Sequence, residues 1–100
     1  MKNEYTLGQV VKSTAGRDKG RFMIVKEVIN EDYLYVCDGS LRKSNQPKKK
    51  KIKHLAKTNH IIEEIQEKLT KGERIQNALI VKHLKPFNEN GDSKENNEED

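Results

Sequence analysis

Three apolar runs in the first forty residues predict the strands of a small sheet. They cover residues 9–13, 21–29 and 33–37, and polar or glycine-containing segments separate them. Valine, isoleucine, phenylalanine and tyrosine dominate these runs, and such residues suit a pleated, half-buried surface. Because side chains alternate along a strand, we expect Leu34 and Val36 to point into the core. Tyr33 and Tyr35 would then lie on the outer face.

The loop between the first two runs begins and ends with glycine, at Gly16 and Gly20. Glycine tolerates the positive φ angles of tight reversals, so a structural role alone accounts for both residues. A binding role is compatible with it, since the loop would present three basic side chains to a phosphate: Arg17, Lys19 and Arg21. A nucleotide-binding P-loop is excluded, because the glycine spacing is one residue too short and no serine or threonine follows the lysine.

A basic window free of acidic residues follows, from residue 39 to residue 62. Its positive side chains are Arg42, Lys43, Lys48, Lys49, Lys50, Lys51, Lys53 and Lys57. Crowded like charges repel one another, so a polyanionic partner explains the window better than a merely solvated segment does. Ile52 and Leu55 interrupt the lysines, which predicts a last strand over residues 50–55 with its lysines pointing outward.

The order of these features resembles a KOW motif. The matching residues are Gly8 to Val11, Gly16, Lys19 and Gly20, the run 22–29, and then residues 33–39 with the lysine run. KOW motifs belong to small SH3-like β-barrels of ribosomal proteins and NusG-type transcription factors. The chain looks most like the KOW domains of eukaryotic and archaeal large-subunit ribosomal proteins and their small bacterial relatives. The resemblance implies an SH3-like barrel that binds RNA.

Two short amphipathic helices are predicted after the barrel. The first would span residues 60–71, defined by the capping pair Thr58-Asn59, the stripe Ile61, Ile65 and Leu69, and the terminal Gly72. The second would span residues 77–85 and stop at Pro86. We expect their apolar faces to pack on the barrel or on each other, since helices this short need tertiary support.

The overall charge of +4 conceals an asymmetry between the body of the chain and its end. Residues 88–100 hold six acidic groups and one lysine, a net charge of −5, so residues 1–87 carry +9. This end is predicted to be disordered, as a solubilising tail or as a weak electrostatic competitor for the basic surface. The chain is thus divided into a KOW-type barrel (1–57), a helical extension (58–87) and an acidic tail (88–100).

Composition makes several other classes of protein improbable. A chain of 100 residues with 32% hydrophobic residues has a thin core and little room for a ligand cavity. No apolar run approaches the ~20 residues of a membrane span, and no signal-peptide segment is recognisable. One cysteine and three scattered histidines give no metal-ligand spacing. We therefore expect a cytoplasmic monomer with no cofactor, no metal and no catalytic residues.

Together these features predict RNA binding, with ribosomal RNA implied by the resemblance and ribosomal proteins as further candidate partners. The candidate RNA-binding residues are Arg17, Lys19, Arg21, Tyr33, Tyr35, Arg42, Lys43, Lys48, Lys49, Lys50, Lys51 and Lys53. Charge alone does not distinguish RNA from double-stranded DNA. The alternative is a protein-interaction module of the transcription or translation machinery, with the helical stripe as its working surface.

Overall fold

The computed structural model describes residues 4–90, which form one five-stranded antiparallel sheet and two α-helices. The strands are β1 (Gln9–Ser13), β2 (Phe22–Val28), β3 (Tyr33–Cys37), β4 (Lys48–Lys51) and β5 (Leu55–Ile61). The helices are α1 (Glu63–Thr70) and α2 (Asn77–Lys85). The order across the sheet is β4-β3-β2-β1-β5, so β4 and β5 are its outermost strands. The mainly β architecture with helices at the end is confirmed.

The sheet carries a separate hydrophobic cluster on each face, because neighbouring residues of a strand point to opposite sides. One cluster consists of Val11, Met23, Val25, Leu34, Val36 and Leu55. The other joins the sheet to the helices and consists of Val10, Ile24, Cys37, Ile62, Ile65, Ile75, Ile80 and Leu84. The inward orientation predicted for Leu34 and Val36 is therefore confirmed, and the predicted packing of the helices on the sheet is confirmed as well.

The prediction of one strand over residues 50–55 is wrong, both in the residues it covers and in the number of strands. The chain forms two strands here, and a 3-10 turn at Ile52–His54 joins β4 to β5. β5 pairs with β1, where Ser13 lies opposite Leu55 and Gln9 lies opposite Ile61. The polar composition of β5 gives little strand signal, so its conformation depends on pairing with a distant partner.

Thr58 belongs to β5 and does not cap a helix. Its Oγ1 donates to the Val10 carbonyl oxygen at 2.6 Å and accepts from the His60 amide at 3.1 Å. The Thr58 carbonyl oxygen in turn accepts from Gln9 Nε2 at 2.8 Å. The β1–β5 register shifts between Gln9 and Val11, and these side-chain bonds stabilise the irregular stretch of the ladder.

The first helix consequently begins at Glu63 instead of residue 60. Ile61 is the last residue of β5 and is 38% exposed, so it is not part of the packed stripe. Ile62 and Ile65 are buried, and Leu69 packs against the same cluster. The predicted end is confirmed, since Gly72 follows the helix with φ +77° and its amide donates to the Leu69 carbonyl oxygen.

The second helix has the bounds that its pattern predicted, Asn77–Lys85. Pro86 ends the α-helix, yet the chain continues as a π-helical turn, Pro86–Asn90. In this turn, the Asn88 side chain bonds both backbone groups of Phe22, accepting from the amide at 2.7 Å and donating to the carbonyl oxygen at 3.2 Å. The acidic tail predicted to start at residue 88 thus begins within this turn. Residues 91–100 lie outside the described part of the chain.

Candidate nucleic-acid interface

The lysine run is divided between two sides of the sheet by the pleat of β4. In the β3–β4 register, Lys49 and Lys51 lie opposite the outward tyrosines Tyr35 and Tyr33. Lys48 and Lys50 lie opposite the buried residues Val36 and Leu34. Because cross-strand partners share a face, the four lysines form two pairs with different surroundings.

Lys49 and Lys51 form an outer-face patch with Tyr33 and Tyr35. Lys49 Nζ lies 4.6 Å from the centre of the Tyr33 ring, and Lys51 Nζ lies 5.8 Å from it. These are cation–π distances, so the ring helps to hold both ammonium groups at the surface. Tyr33 and Tyr35 are half-buried, which leaves part of each ring accessible.

The outer-face patch has acidic neighbours on two sides. Glu27 of β2 lies opposite Tyr35 in the sheet and is exposed. A cleft of ≈ 410 Å³ at the end of the patch is lined by Glu31, Asp32, Tyr33, Lys51, Ile52 and Lys53. Lys53 is exposed there. The positive charge of the patch is thus local, because acidic side chains limit it on two sides.

Lys48 and Lys50 hold the glycine loop through Asp18. Lys50 Nζ donates to Asp18 Oδ1 and to the Ala15 carbonyl oxygen, both at 2.8 Å. Lys48 Nζ lies 3.2 Å from Asp18 Oδ2, and Ser13 Oγ donates to Oδ1 at 2.7 Å. Lys50 is only 5% exposed, so the prediction that it points outward is wrong. This lysine positions the loop and is not accessible to a phosphate.

Asp18 keeps its negative charge well into the acid range. Burial alone would raise the pKa of the carboxyl group, but hydrogen bonds from Lys50, Ser13 and Lys48 outweigh it and lower the pKa to about 2. The ordinary value is 3.8. The loop therefore carries an ionised aspartate wherever the protein is folded near neutral pH.

This shift predicts a loss of stability in acid. A carboxyl group whose pKa is lower in the folded state contributes stability above its unfolded value, and the contribution disappears as pH falls towards the folded value. Asp18 should therefore contribute about 2 kcal/mol above pH 5 and progressively less between pH 5 and pH 2. Urea unfolding at several pH values would measure it. An Asp18→Asn variant should show a flatter profile over that interval, and an identical profile would contradict the assignment.

Arg21 and the turn after β3 are joined by a second buried carboxylate, Asp38. Arg21 Nε donates to Asp38 Oδ2 at 3.0 Å, and Asp38 Oδ1 accepts from the amides of Ser40 and Arg42. The Asp38 side chain is 1% exposed. Arg21 thus forms an ion pair with this turn, and hydrogen bonds to the Asp38 carboxylate stabilise the turn.

The glycine loop and this turn face each other across a loop cleft of ≈ 260 Å³. Its lining residues are Arg17, Asp18, Met23, Asp38, Leu41, Arg42 and Lys48. Arg17 and Arg42 are exposed, as are the nearby Lys19 and Lys43. Three predicted site residues, Arg17, Arg42 and Lys48, therefore meet at one site, although they span 31 positions along the chain.

The sequence interpretation missed three residues of this region: Asp18, Asp38 and Leu41. Both aspartates stand next to glycine or basic residues, where an ordinary turn role was sufficient to account for them. Only the tertiary structure brings Asp18 to the lysines of β4. Leu41 had a possible signal, since it is an isolated apolar residue in a polar segment.

Comparison of the sequence with protein-family models and with curated proteins gave no match. Among residues 4–90 there is no group of three or more histidine, cysteine, aspartate or glutamate side chains that could hold a metal ion. None of the helices in that range is long and apolar enough to cross a membrane.

The one cysteine, Cys37, should be chemically inert in the folded protein. It is fully buried, and burial raises the pKa of its thiol to about 12. Because the thiolate is the reactive form, alkylation by iodoacetamide at pH 8 should be at least about 100-fold slower than in concentrated urea. A Cys37→Ser/Ser40→Cys variant, with its thiol at an exposed position, should react rapidly without urea. Equal rates for native and unfolded Cys37 would contradict its burial.

Proposed function

We propose that this protein binds RNA along the side of the sheet formed by β4. The observation that carries the proposal is the grouping of basic side chains there. The loop cleft presents Arg17, Arg42 and Lys48, and the outer-face patch presents Lys49 and Lys51. Since β4 is an outermost strand, both groups flank the same edge of the sheet, where a phosphate backbone could contact them in succession.

We further propose that the sheet is an SH3-like barrel of the KOW type. The strand order β4-β3-β2-β1-β5, with β5 beside β1 and a 3-10 turn between β4 and β5, supports this proposal. The glycine loop also supports it, because the loop packs against β4 and leaves Arg17 and Lys19 exposed. Ribosomal RNA is the RNA class that the resemblance to ribosomal KOW proteins favours.

The contacts favour affinity over sequence discrimination. Lysine is a mobile point charge that finds phosphates well and reads base edges poorly. Tyr33 already has Lys49 and Lys51 at cation–π distance. Tyr35, half-buried on the same face, is therefore the better candidate for stacking on a base or sugar, as aromatic residues do in many RNA-binding domains. The same lysines discourage β4 from pairing with another sheet edge, which agrees with the expectation of a monomer.

The alternative, a protein-interaction module that uses the helical stripe, has less support. Ile65 is fully buried within the chain, and Leu69 packs against the same core cluster. Those side chains are therefore committed to the fold, and a partner could not reach Ile65 without unfolding α1. We favour the nucleic-acid function for this reason.

The test is the salt dependence of RNA binding. Removing one lysine–phosphate ion pair should lower the slope of log K against log salt concentration by about one unit, because fewer counterions are released. We expect the Lys49→Ala/Lys51→Ala variant to lower the slope by about two and to weaken binding to all RNA sequences.

The matched control is Lys68→Ala/Lys71→Ala at the end of α1, where both lysines form ion pairs with glutamates. Its slope should equal that of the wild type. Fluorescence anisotropy with a labelled RNA at four salt concentrations would measure both variants. An unchanged slope in the β4 variant would remove the outer-face patch from the binding surface.

A further inference from the structure

We propose that the loop cleft receives a single unpaired nucleobase of the bound RNA. This inference rests on the proposed RNA-binding function and names the part of the RNA that the cleft would recognise. It is carried by three properties of the cleft: an exposed apolar side chain held on a hydrogen-bonded turn, cationic groups at the rim, and carboxylates inside that are neutralised by ion pairs.

Leu41 is the apolar side chain, and its environment is unusual. It is 67% exposed, the highest value among the large hydrophobic residues of the described chain. The turn that presents it is fixed, because the amides of Asp38 and Gly39 donate to the Arg42 carbonyl oxygen while the Asp38 carboxylate accepts two amides in return. An apolar side chain on a fixed turn offers a surface on which a planar ring can pack at little entropic cost.

The charges around the cleft favour a neutral ring inside and phosphates outside. Arg17 and Arg42 line the cleft with exposed side chains and suit the phosphates on either side of a nucleotide. Asp18 and Asp38 also line it, and their side chains are only 11% and 1% exposed. Both carboxylates are already paired with cations, Asp18 with Lys50 and Lys48 and Asp38 with Arg21. The inside of the cleft therefore offers a phosphate little uncompensated charge, whereas a neutral ring could pack on Leu41 there.

The size of the cleft agrees with one base and not with a longer segment. Its ≈ 260 Å³ is just below the range of about 300–1000 Å³ that is usual for small-molecule sites. A base within a continuous duplex is stacked between its neighbours and could not enter. Loops, bulges and ends supply bases that can leave the stack, and most specific RNA recognition uses them.

The experiment compares two RNAs that differ only in one unpaired nucleotide. One is a duplex of about 20 base pairs, and the other is the same duplex with a single bulged 2-aminopurine. Anisotropy at one salt concentration should show that the bulged RNA binds about fivefold to tenfold more tightly, at the low end of what stacking of one base on an aromatic ring contributes, because leucine has no π-face. The fluorescence of 2-aminopurine should also change on binding.

Leu41→Ser should abolish the preference for the bulged RNA while leaving the salt slope unchanged, because it removes an apolar surface and no charge. The matched control is Ile61→Ser, an exposed apolar residue at the end of β5, which should retain the preference. Binding of both RNAs with equal affinity, or an unchanged 2-aminopurine signal, would overturn the inference and leave the proposed function intact. Absence of salt-dependent binding to either RNA would overturn both.

Discussion

Replacing Asp18 by alanine is expected to destabilise the folded protein by about 3–5 kcal/mol. The substitution removes the shared acceptor of Lys50, Lys48 and Ser13. Lys50 would then keep a buried charge with the Ala15 carbonyl oxygen as its remaining described acceptor. Removing one partner of a buried ion pair is more costly than removing both, because the other charge stays uncompensated in a poorly hydrated site. Urea unfolding at pH 7 would measure the change.

Two further variants test whether the loss of stability comes from the uncompensated charge of Lys50 or from the loss of any aspartate. Asp18→Ala/Lys50→Met should recover part of the loss, since methionine fills a similar volume without a charge to compensate. Asp32→Ala removes an exposed aspartate and should change the free energy of unfolding by less than about 0.5 kcal/mol. Similar losses for Asp18→Ala and Asp32→Ala would show that the ion pair contributes little.

Replacing Gly39 by alanine should destabilise the fold by about 4 kcal/mol, because two costs combine at this position. Gly39 has φ +80°, which an alanine adopts with strain. A Cβ atom there would also lie 2.5 Å from the Asn77 carbonyl oxygen and 3.0 Å from Val81 Cγ2. The oxygen belongs to the first turn of α2, so the helix would have to shift away from the sheet.

Gly20→Ala is the matched control for this prediction. Gly20 has φ +92°, but an added Cβ would meet no atom within 4 Å. Gly20→Ala should therefore lower the free energy of unfolding only by the cost of the positive φ angle, about 1 kcal/mol. Thermal unfolding of both variants would compare them. Equal losses of stability in the two variants would mean that the close approach of the β3 turn to α2 does not add to the cost of the Gly39 substitution.

Much of the fold was predictable because several of its strands and helices have a clear pattern of apolar residues in their own sequence. Alternation over residues 33–37 predicted the two faces of β3, and the pattern of residues 77–85 predicted α2. β5 was missed because residues 55–61 lack an alternating pattern, and their strand conformation is stabilised by pairing with β1. The same error moved the start of α1, since Thr58 was interpreted as a cap when its hydroxyl group bonds β1.

The sequence predicted which basic residues surround the candidate site, but not which side of the sheet each of them lies on. The density of lysines in the sequence indicated a polyanion, but the strand was placed at residues 50–55. Placing it two residues earlier, at Lys48–Lys51, would have assigned alternate lysines to opposite faces by the pleat alone. The pairing of Lys50 with Asp18 joins residues 32 positions apart, and no local pattern encodes a contact at that distance.

The position of β5 beside β1 also affects the order in which the molecule can fold. β1 is the first strand among residues 4–90, and its pairing with β5 joins residues more than 40 positions apart. During synthesis, β1, β2 and β3 can pair while one edge of β1 still lacks its neighbour. Sheets with such long-range pairing fold slowly, in about milliseconds to seconds. The nascent protein therefore has an open sheet edge at β1 until residue 61 has been made.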